Sequence, residues 1–205
     1  MMNDLFADAD PQRIEVPDAD LLYFRQPDLG ADAALLFSRL RQDLAWREGF
    51  VQLFGKRYRQ PRLLAWYGDP EAVYGYSGTR YQPLPWISVL ASLRERIAAI
   101  AQTPFNSVLA NLYRDNEDSM GLHADDEPEL GAQPVIASLS LGEERLFRLK
   151  HRHRRDLPAA RIHLEHGSLL LMGGQTQANW KHELPKQRAA CGARINLTFR
   201  YVNPR

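Results

Sequence analysis

Apolar residues recur with two different periods along the chain. Over residues 31–46, Leu36, Leu40 and Leu44 stand four apart, the spacing of one helix face. A second stripe of Leu90, Leu93, Ile97 and Ile100 follows Pro85, which predicts a second helix opening at that proline. Residues 50–67 read as two short strands around Gly55-Lys56-Arg57, and the Gly-, Pro- and Tyr-rich stretch 68–85 as a loop or hairpin. Beyond Thr103-Pro104 the period shortens. The runs 107–113, 135–141, 146–150, 162–164, 168–172 and 194–202 are short, β-rich and separated by turn residues. Several strands after two helices predict a mainly β fold with helical buttresses (α+β), a sandwich or a barrel. Run 194–202 alternates: Ile195, Leu197, Phe199 and Tyr201 share one face, and Arg194, Asn196, Thr198 and Arg200 the other. A polar face of this kind is ordinarily the solvent face.

Residues 1–30 are polar with scattered prolines and read as a loosely docked acidic leader; residues 31–205 read as a single domain, with a break in character near 104. At 205 residues, 44% hydrophobic and 25% charged, the composition is that of a globular protein. The net charge of +1 hides an asymmetry. Residues 1–32 carry eight acids against Arg13 and Arg25, a net of −6, so the remainder carries +7. A basic body points faintly to a polyanionic partner. Cys191 is the one cysteine, so no internal disulfide forms. No apolar run approaches the ~18 residues of a membrane span, and the acidic start lacks the order of a signal peptide. These features predict a protein inside the cell that is not embedded in a membrane.

His123-Ala124-Asp125 sets an imidazole and a carboxylate two apart, on one side of an extended segment. The pattern is weak alone, and His163-Leu164-Glu165 repeats it. Two imidazoles and one carboxylate on one face of an iron leave open positions for oxygen chemistry. The third ligand has to come from His151, His153, His163, His166 or His182. His182 is favoured because it follows a strand-like run and Gly173-Gly174 at long separation, whereas His151 and His153 sit among Lys150, Arg152, Arg154 and Arg155. Arg194 and Arg200, with Asn196 and Thr198 between them, can enclose a small dicarboxylate, since guanidinium forks match carboxylates.

The segments Asn111-Leu112-Tyr113-Arg114-Asp115, Asp118-Ser119-Met120-Gly121-Leu122-His123-Ala124-Asp125-Asp126-Glu127, His166-Gly167-Ser168, Trp180-Lys181-His182 and Arg194-Ile195-Asn196-Leu197-Thr198-Phe199-Arg200 occur in this order. Together they resemble the AlkB family of Fe(II)/2-oxoglutarate-dependent nucleic-acid dealkylating dioxygenases, from about residue 50 to 202. Phe50 to Lys56 is similar to the animal homologue that acts on duplex DNA. Leu64 to Gly68 with Asn111 to Tyr113 is closer to the relative that acts on single strands.

The resemblance implies a double-stranded β-helix (jelly-roll) core over 105–205 and a nucleotide-recognition region within 31–104. It implies Fe(II) held by His123, Asp125 and His182, and 2-oxoglutarate held by Asn111, Tyr113, Arg194, Asn196, Thr198 and Arg200. The implied reaction is oxidative dealkylation of N1-methyladenine and N3-methylcytosine in DNA, releasing succinate, CO2 and formaldehyde. A carboxylate favours such cationic bases, and Asp126 and Glu127 are the two candidates. Phe54 and Gly55 match a finger that wedges into the duplex, and Trp66, Tyr74 and Tyr76 are candidates to stack on a flipped base. Arg145, Arg148, Lys150, Arg152, Arg154, Arg155 and Arg161 oppose only Asp156 within 145–161. With Lys56, Arg57, Arg59 and Arg62 they form a candidate DNA cradle. The expected state is a monomer acting on DNA in the cytoplasm, at the nucleoid if the source is bacterial. The alternatives are the same chemistry on RNA or protein, and a catalytically dead nucleic-acid-binding jelly-roll.

Overall fold

Hydrogen bonding along the chain produces, in order, strands β1 (Gln12–Arg13) and β2 (Asp20–Phe24), helix α1 (Ala33–Asp43), strands β3 (Arg47–Leu53), β4 (Lys56–Gly68), β5 (Tyr74–Tyr76) and β6 (Thr79–Tyr81), and helix α2 (Ser88–Ala101). There follow β7 (Ser107–Tyr113), β8 (Met120–His123), β9 (Ile136–Gly142), β10 (Arg145–His151), β11 (Ala160–Leu164), β12 (Leu169–Gly173), the one-turn helix α3 (Thr176–Asn179), β13 (Trp180–Leu184) and β14 (Arg194–Arg200). This is a computed structural model, and it describes residues 11–53, 55–76 and 79–203.

Among these residues one sheet of eight strands runs β1-β2-β12-β9-β14-β7-β4-β3, a second of four runs β11-β10-β13-β8, and β5-β6 is a separate hairpin. The named pairings are antiparallel. Two apolar layers result. Leu36 and Leu40 of α1 and Leu90, Leu93 and Ile97 of α2 pack on the outer face of the large sheet, against Val108, Ala110, Leu139, Ile195, Leu197 and Phe199. Between the sheets, Phe147, Leu149, Ile162 and Trp180 of the small sheet meet Leu21, Ile136, Leu170 and Met172 of the large one. The mainly β expectation with helical buttresses, closed as a jelly-roll, describes this architecture.

Helix α1 starts where the pattern placed it, because the Asp32 carboxylate accepts the amides of Ala34 and Leu35 at 2.9 and 3.0 Å. Helix α2 starts at Ser88, three residues after Pro85. Backbone bonds from Gly68 N to Leu84 O (3.0 Å) and from Leu84 N to Trp66 O (2.9 Å) hold the chain beside β4, so coiling is delayed. The strand expected over 194–202 ends at Arg200, and Tyr201 is 43% exposed.

One expectation fails. The leader is not loosely docked over its described part. Strand β2 pairs with β12 from Leu169↔Phe24 to Gly173↔Asp20, with Leu21 and Tyr23 in the inter-sheet core and Phe24 under the helices. A five-residue strand covered on both faces was hidden by the acidic residues around it. The polar face of β14, which pattern alone would give to solvent, is enclosed, and all seven residues of the strand are buried. The helices cover one side and the small sheet covers the other, so the polar row lines an internal cleft. Strands β8 and β13 went unread because they are short and their polar residues interrupt the apolar pattern.

Because β2 is integral to the large sheet, Leu21→Ala is expected to destabilise the fold by about 2–5 kcal/mol, the range for truncating a fully buried leucine. Equilibrium urea denaturation of the two proteins measures this; an unchanged midpoint would return residues 20–24 to the status of a leader.

Candidate active site

Strands β8 and β13 pair so that His123 stands directly opposite His182. Their rings meet edge to face with centroids 4.3 Å apart. Asp125 follows just beyond the end of β8, and its backbone amide donates to the Gln177 side-chain oxygen at 3.0 Å. That bond turns the carboxylate between the two rings. His123 Nε2 lies 4.0 Å from Asp125 Oδ1, and His182 Nε2 lies 3.9 Å from Asp125 Oδ2. The three ligand atoms fall within 4.8 Å of one another. The residues expected to hold the metal therefore converge.

The donor chemistry fits a divalent cation. His123 Nδ1 lies 2.8 Å from the Gly121 carbonyl, which only accepts, so Nδ1 donates there and Nε2 is the ring atom turned toward Asp125. Burial pushes His182 down to about 3, with neighbouring His123 and Arg200 adding to the effect and Asp125 opposing it, so this ring is neutral. Burial also pushes the Asp125 carboxyl up, but the Arg200 charge and hydrogen bond, with the two neighbouring rings, outweigh it and hold the group below the usual carboxylate range. Two imidazoles and one carboxylate are a ligand set for Fe(II). The remaining histidines are engaged elsewhere. His163 contacts Glu144 at 2.7 Å, His166 accepts the Gly142 amide at 2.8 Å, and His151 accepts the amides of His153 and Arg154. Glu165 of the decoy pair binds Arg25 at 3.1 Å.

The cleft continues from the metal ligands along the polar row of β14. Register places Arg194 beside Tyr113 and Asn196 beside Asn111 on β7, and Asn196 beside Ser140 and Thr198 beside Ser138 on β9. Arg200 donates to Asp125 Oδ1 at 2.7 Å, so it holds the metal carboxylate directly. Asn196 donates to Ser138 Oγ (2.8 Å) and Leu139 O (3.2 Å) and accepts from Thr198 at 2.9 Å. These two side chains stiffen the wall. Arg194, only 2% exposed, donates to Ser140 Oγ at 2.8 Å and leaves a buried Nε without a hydrogen bond. Its guanidinium lies 5.3 Å from the Tyr113 ring. Burial lowers Arg194 to about 10, with nearby Arg145 adding to the effect, and it remains a cation at neutral pH.

Sequence reasoning missed several of these positions. Gln177 carries the Asp125 amide, Ser138 and Ser140 hold the β14 row, and Arg62 donates to Asn111 Oδ1 at 2.8 Å. The serines left a signal, polar residues at every second position of an apolar strand; Gln177 left none.

The expected base-binding residues are less gathered. Asp126 is exposed and binds Arg152 at 2.6 Å. Glu127 has a buried Oε2 with no hydrogen-bond partner. Trp66 is 6% exposed and packs in the inter-sheet core, where it does not line the cleft. Gly55 occupies the tip between β3 and β4 with φ +75°, a conformation suited to glycine. Tyr74 and Tyr76 lie on β5, but their side chains, like Phe54, fall outside the described residues.

The basic run does form a hairpin, β10 to β11, yet much of its charge is compensated. Arg148 and Lys150 face Glu183 at 2.6 and 3.8 Å, and Arg154 faces Asp156 at 2.8 Å. Arg145 is buried. In the other half of the expected cradle, Arg59 pairs with Glu48 at 2.6 Å.

Comparison with known proteins agrees with this geometry. Residues 20–200 match the model of the 2OG-Fe(II) oxygenase superfamily. The alpha-ketoglutarate-dependent dioxygenase alkB homolog 3 of Rattus norvegicus is 42% identical over 84% of this chain and 61% of its own length, so the chain spans about three fifths of that relative. The DNA oxidative demethylase ALKBH2 of Mus musculus is 36% identical over 93% of this chain and 87% of its own. A solved structure described as that of OsALKBH1 superposes with a TM-score of 0.65 at 18% identity, covering 92% of this chain and 100% of that one, which is a likeness of fold. No helix among the described residues is long and apolar enough to cross a membrane.

The depressed His182 predicts a direction for stability against pH. The unfolded chain takes a proton on this ring near 6.5, whereas the metal-free fold resists it down to about 3. The contribution is present above 6.5 and is lost progressively as pH falls toward about 3. His182→Asn should flatten this part of the profile, read from denaturation midpoints between about pH 7 and 4. A variant with the same slope as the parent would contradict a neutral, buried His182.

Proposed function

This chain belongs to the 2OG-Fe(II) oxygenase superfamily, in its AlkB branch, and on that premise we propose that it removes alkyl groups oxidatively from damaged bases in DNA. One observation carries the reading. Three convergent metal ligands stand at the mouth of a buried cleft whose far wall presents a cation, Arg194.

His123, Asp125 and His182 would hold Fe(II), and the cleft would hold 2-oxoglutarate. Bound there, the pair supplies oxidation of an N-alkyl carbon by dioxygen, with succinate, CO2 and formaldehyde as products. The protein's own residues do the positioning. Arg194 would receive the distal carboxylate of the cosubstrate, with Tyr113 beside it. Asn111 would turn its amide nitrogen toward the cosubstrate, because Arg62 occupies its oxygen. Arg200 keeps Asp125 ionised and oriented toward the metal. Leu109, Phe147 and Met172 line the same cleft and exclude water from it.

The substrate assignment rests on the charge at the rim and on the relatives' names. The lesions N1-methyladenine and N3-methylcytosine are cationic, and a carboxylate distinguishes them from the neutral parent bases. Glu127 suits this role, since its Oε2 is buried and unengaged, while the Asp126 carboxylate is bound to Arg152. Phe54 would fill the gap left by a flipped base, and Tyr74 and Tyr76 would stack on that base. The reading places the protein inside the cell as a monomer on nucleic acid. RNA is the second substrate class to be compared.

Methylated oligonucleotides, single and double stranded, DNA and RNA, scored for base restoration by mass spectrometry, test the reading. His123→Ala is expected to abolish turnover and the weak visible charge-transfer band that forms when Fe(II) and 2-oxoglutarate are added without oxygen. No band with the parent protein would mean a binding fold without catalysis. Phe54→Ala should lower activity on duplex substrate while sparing single strands, and equal losses on both would remove the wedge role.

A further inference from the structure

Three arginines are buried in or behind the cleft wall near Asn111 and Tyr113, and none makes an ion pair among the described residues. Arg62 donates to Asn111 and Ser119, Arg194 to Ser140, and Arg145 to three backbone carbonyls. The roles proposed above absorb Arg194 and Arg62 but leave Arg145 without one. It is 1% exposed and shares the inward face of β10 with Phe147, which lines the cleft. Its Nη1 reaches Asp115 O at 3.1 Å, and its Nη2 reaches Asp118 O at 2.9 Å and Pro185 O at 2.8 Å. Its Nε is buried without a partner.

The buried acid of this region, Asp118, feels the Arg145 charge but is held by a different arginine. Both Asp118 oxygens are taken by Arg114, at 2.7 and 2.8 Å. The Arg114–Asp118 pair is neutral as a unit, so Arg62, Arg145 and Arg194 leave three positive charges where water is excluded. Tyr113 stands between two of them, its ring centroid 5.9 Å from the Arg145 guanidinium and 5.3 Å from that of Arg194. Carbonyl dipoles offset part of the cost of burying a cation, and an anion entering the cleft offsets more.

We propose that Arg145 is a specificity-determining residue whose charge, acting across Tyr113, selects a 2-oxo diacid over a 2-oxo monoacid at the closed end of the cleft. The proposal rests on the reading of this cleft as the 2-oxoglutarate site. Arg145 need not touch the ligand, because an unscreened unit charge acts over several ångströms in a buried site. A carboxylate at the distal end of the cosubstrate feels it; a methyl group in the same place does not.

Calorimetric titration of the Mn(II)-loaded protein with 2-oxoglutarate and with 2-oxopentanoate, which carries a methyl group for the distal carboxylate, separates charge from scaffolding. Arg145→Gln removes the charge and keeps donors for the carbonyls. It is expected to weaken 2-oxoglutarate binding by about tenfold and 2-oxopentanoate binding by less than about twofold. Arg145→Lys, which keeps the charge, should hold the ratio of the two affinities within about twofold of the parent. Equal weakening of both ligands, or of neither, in the glutamine variant would overturn the proposal. If that variant does not fold, the lysine variant decides: a preserved ratio supports the charge role, and a collapsed ratio with the charge intact overturns it. A parent protein that binds neither keto acid would instead defeat the reading of the site, whereas a parent that prefers 2-oxoglutarate alongside an unaffected glutamine variant would remove only the role of Arg145.

Discussion

Strand β14 has an apolar face and a polar face, and neither meets solvent. Ile195, Leu197 and Phe199 press against the helical layer, while Arg194, Asn196, Thr198 and Arg200 turn into the space between the sheets. Burying four polar side chains on one strand is costly unless each finds partners. That requirement shapes the neighbours. Strand β9 supplies Ser138 and Ser140, β7 supplies Asn111 and Tyr113, and the segment after β8 supplies Asp125 to Arg200. The two sheets cannot collapse into a purely apolar sandwich, and a polar cleft persists between them.

The same cleft is polarised along its length. At its mouth, Asp125 and Arg200 neutralise one another, and the buried His182 ring is uncharged. At its closed end the guanidinium groups of Arg62, Arg145 and Arg194 lack carboxylates of their own. A ligand with a metal-binding head and an anionic tail matches this gradient, and a diacid in the reverse sense does not.

Second-layer contacts carry the geometry outward. Gln177 reaches from α3 to the Asp125 amide, while Thr176 on the same turn bonds the backbone of Asp20 and Trp180 Nε1 donates to Pro17 O at 2.8 Å. A segment near the N-terminus therefore braces the turn that aims a metal ligand. Such supports hold a ligand's orientation when they are packed and hydrogen-bonded, as these are.

The sequence by itself determined the two helical stripes, most strands of the second half, and the order of His123, Asp125, His182, Arg194 and Arg200, because side-chain period and ligand chemistry are local properties. It misjudged β2, whose acidic surroundings masked a strand buried on both faces, and it could not see β13, whose apolar signal is interrupted by Lys181, His182 and Glu183. Only the tertiary structure decided that the polar face of β14 points inward, that Arg145 leaves the basic run for the interior, and that Asp126 is bound to Arg152 while Glu127 keeps a buried oxygen unengaged. The physical reason is common to the first two. A polar residue in a strand has the same local pattern whether its face meets water or a second sheet, and the layer that covers it is built from residues distant in the chain.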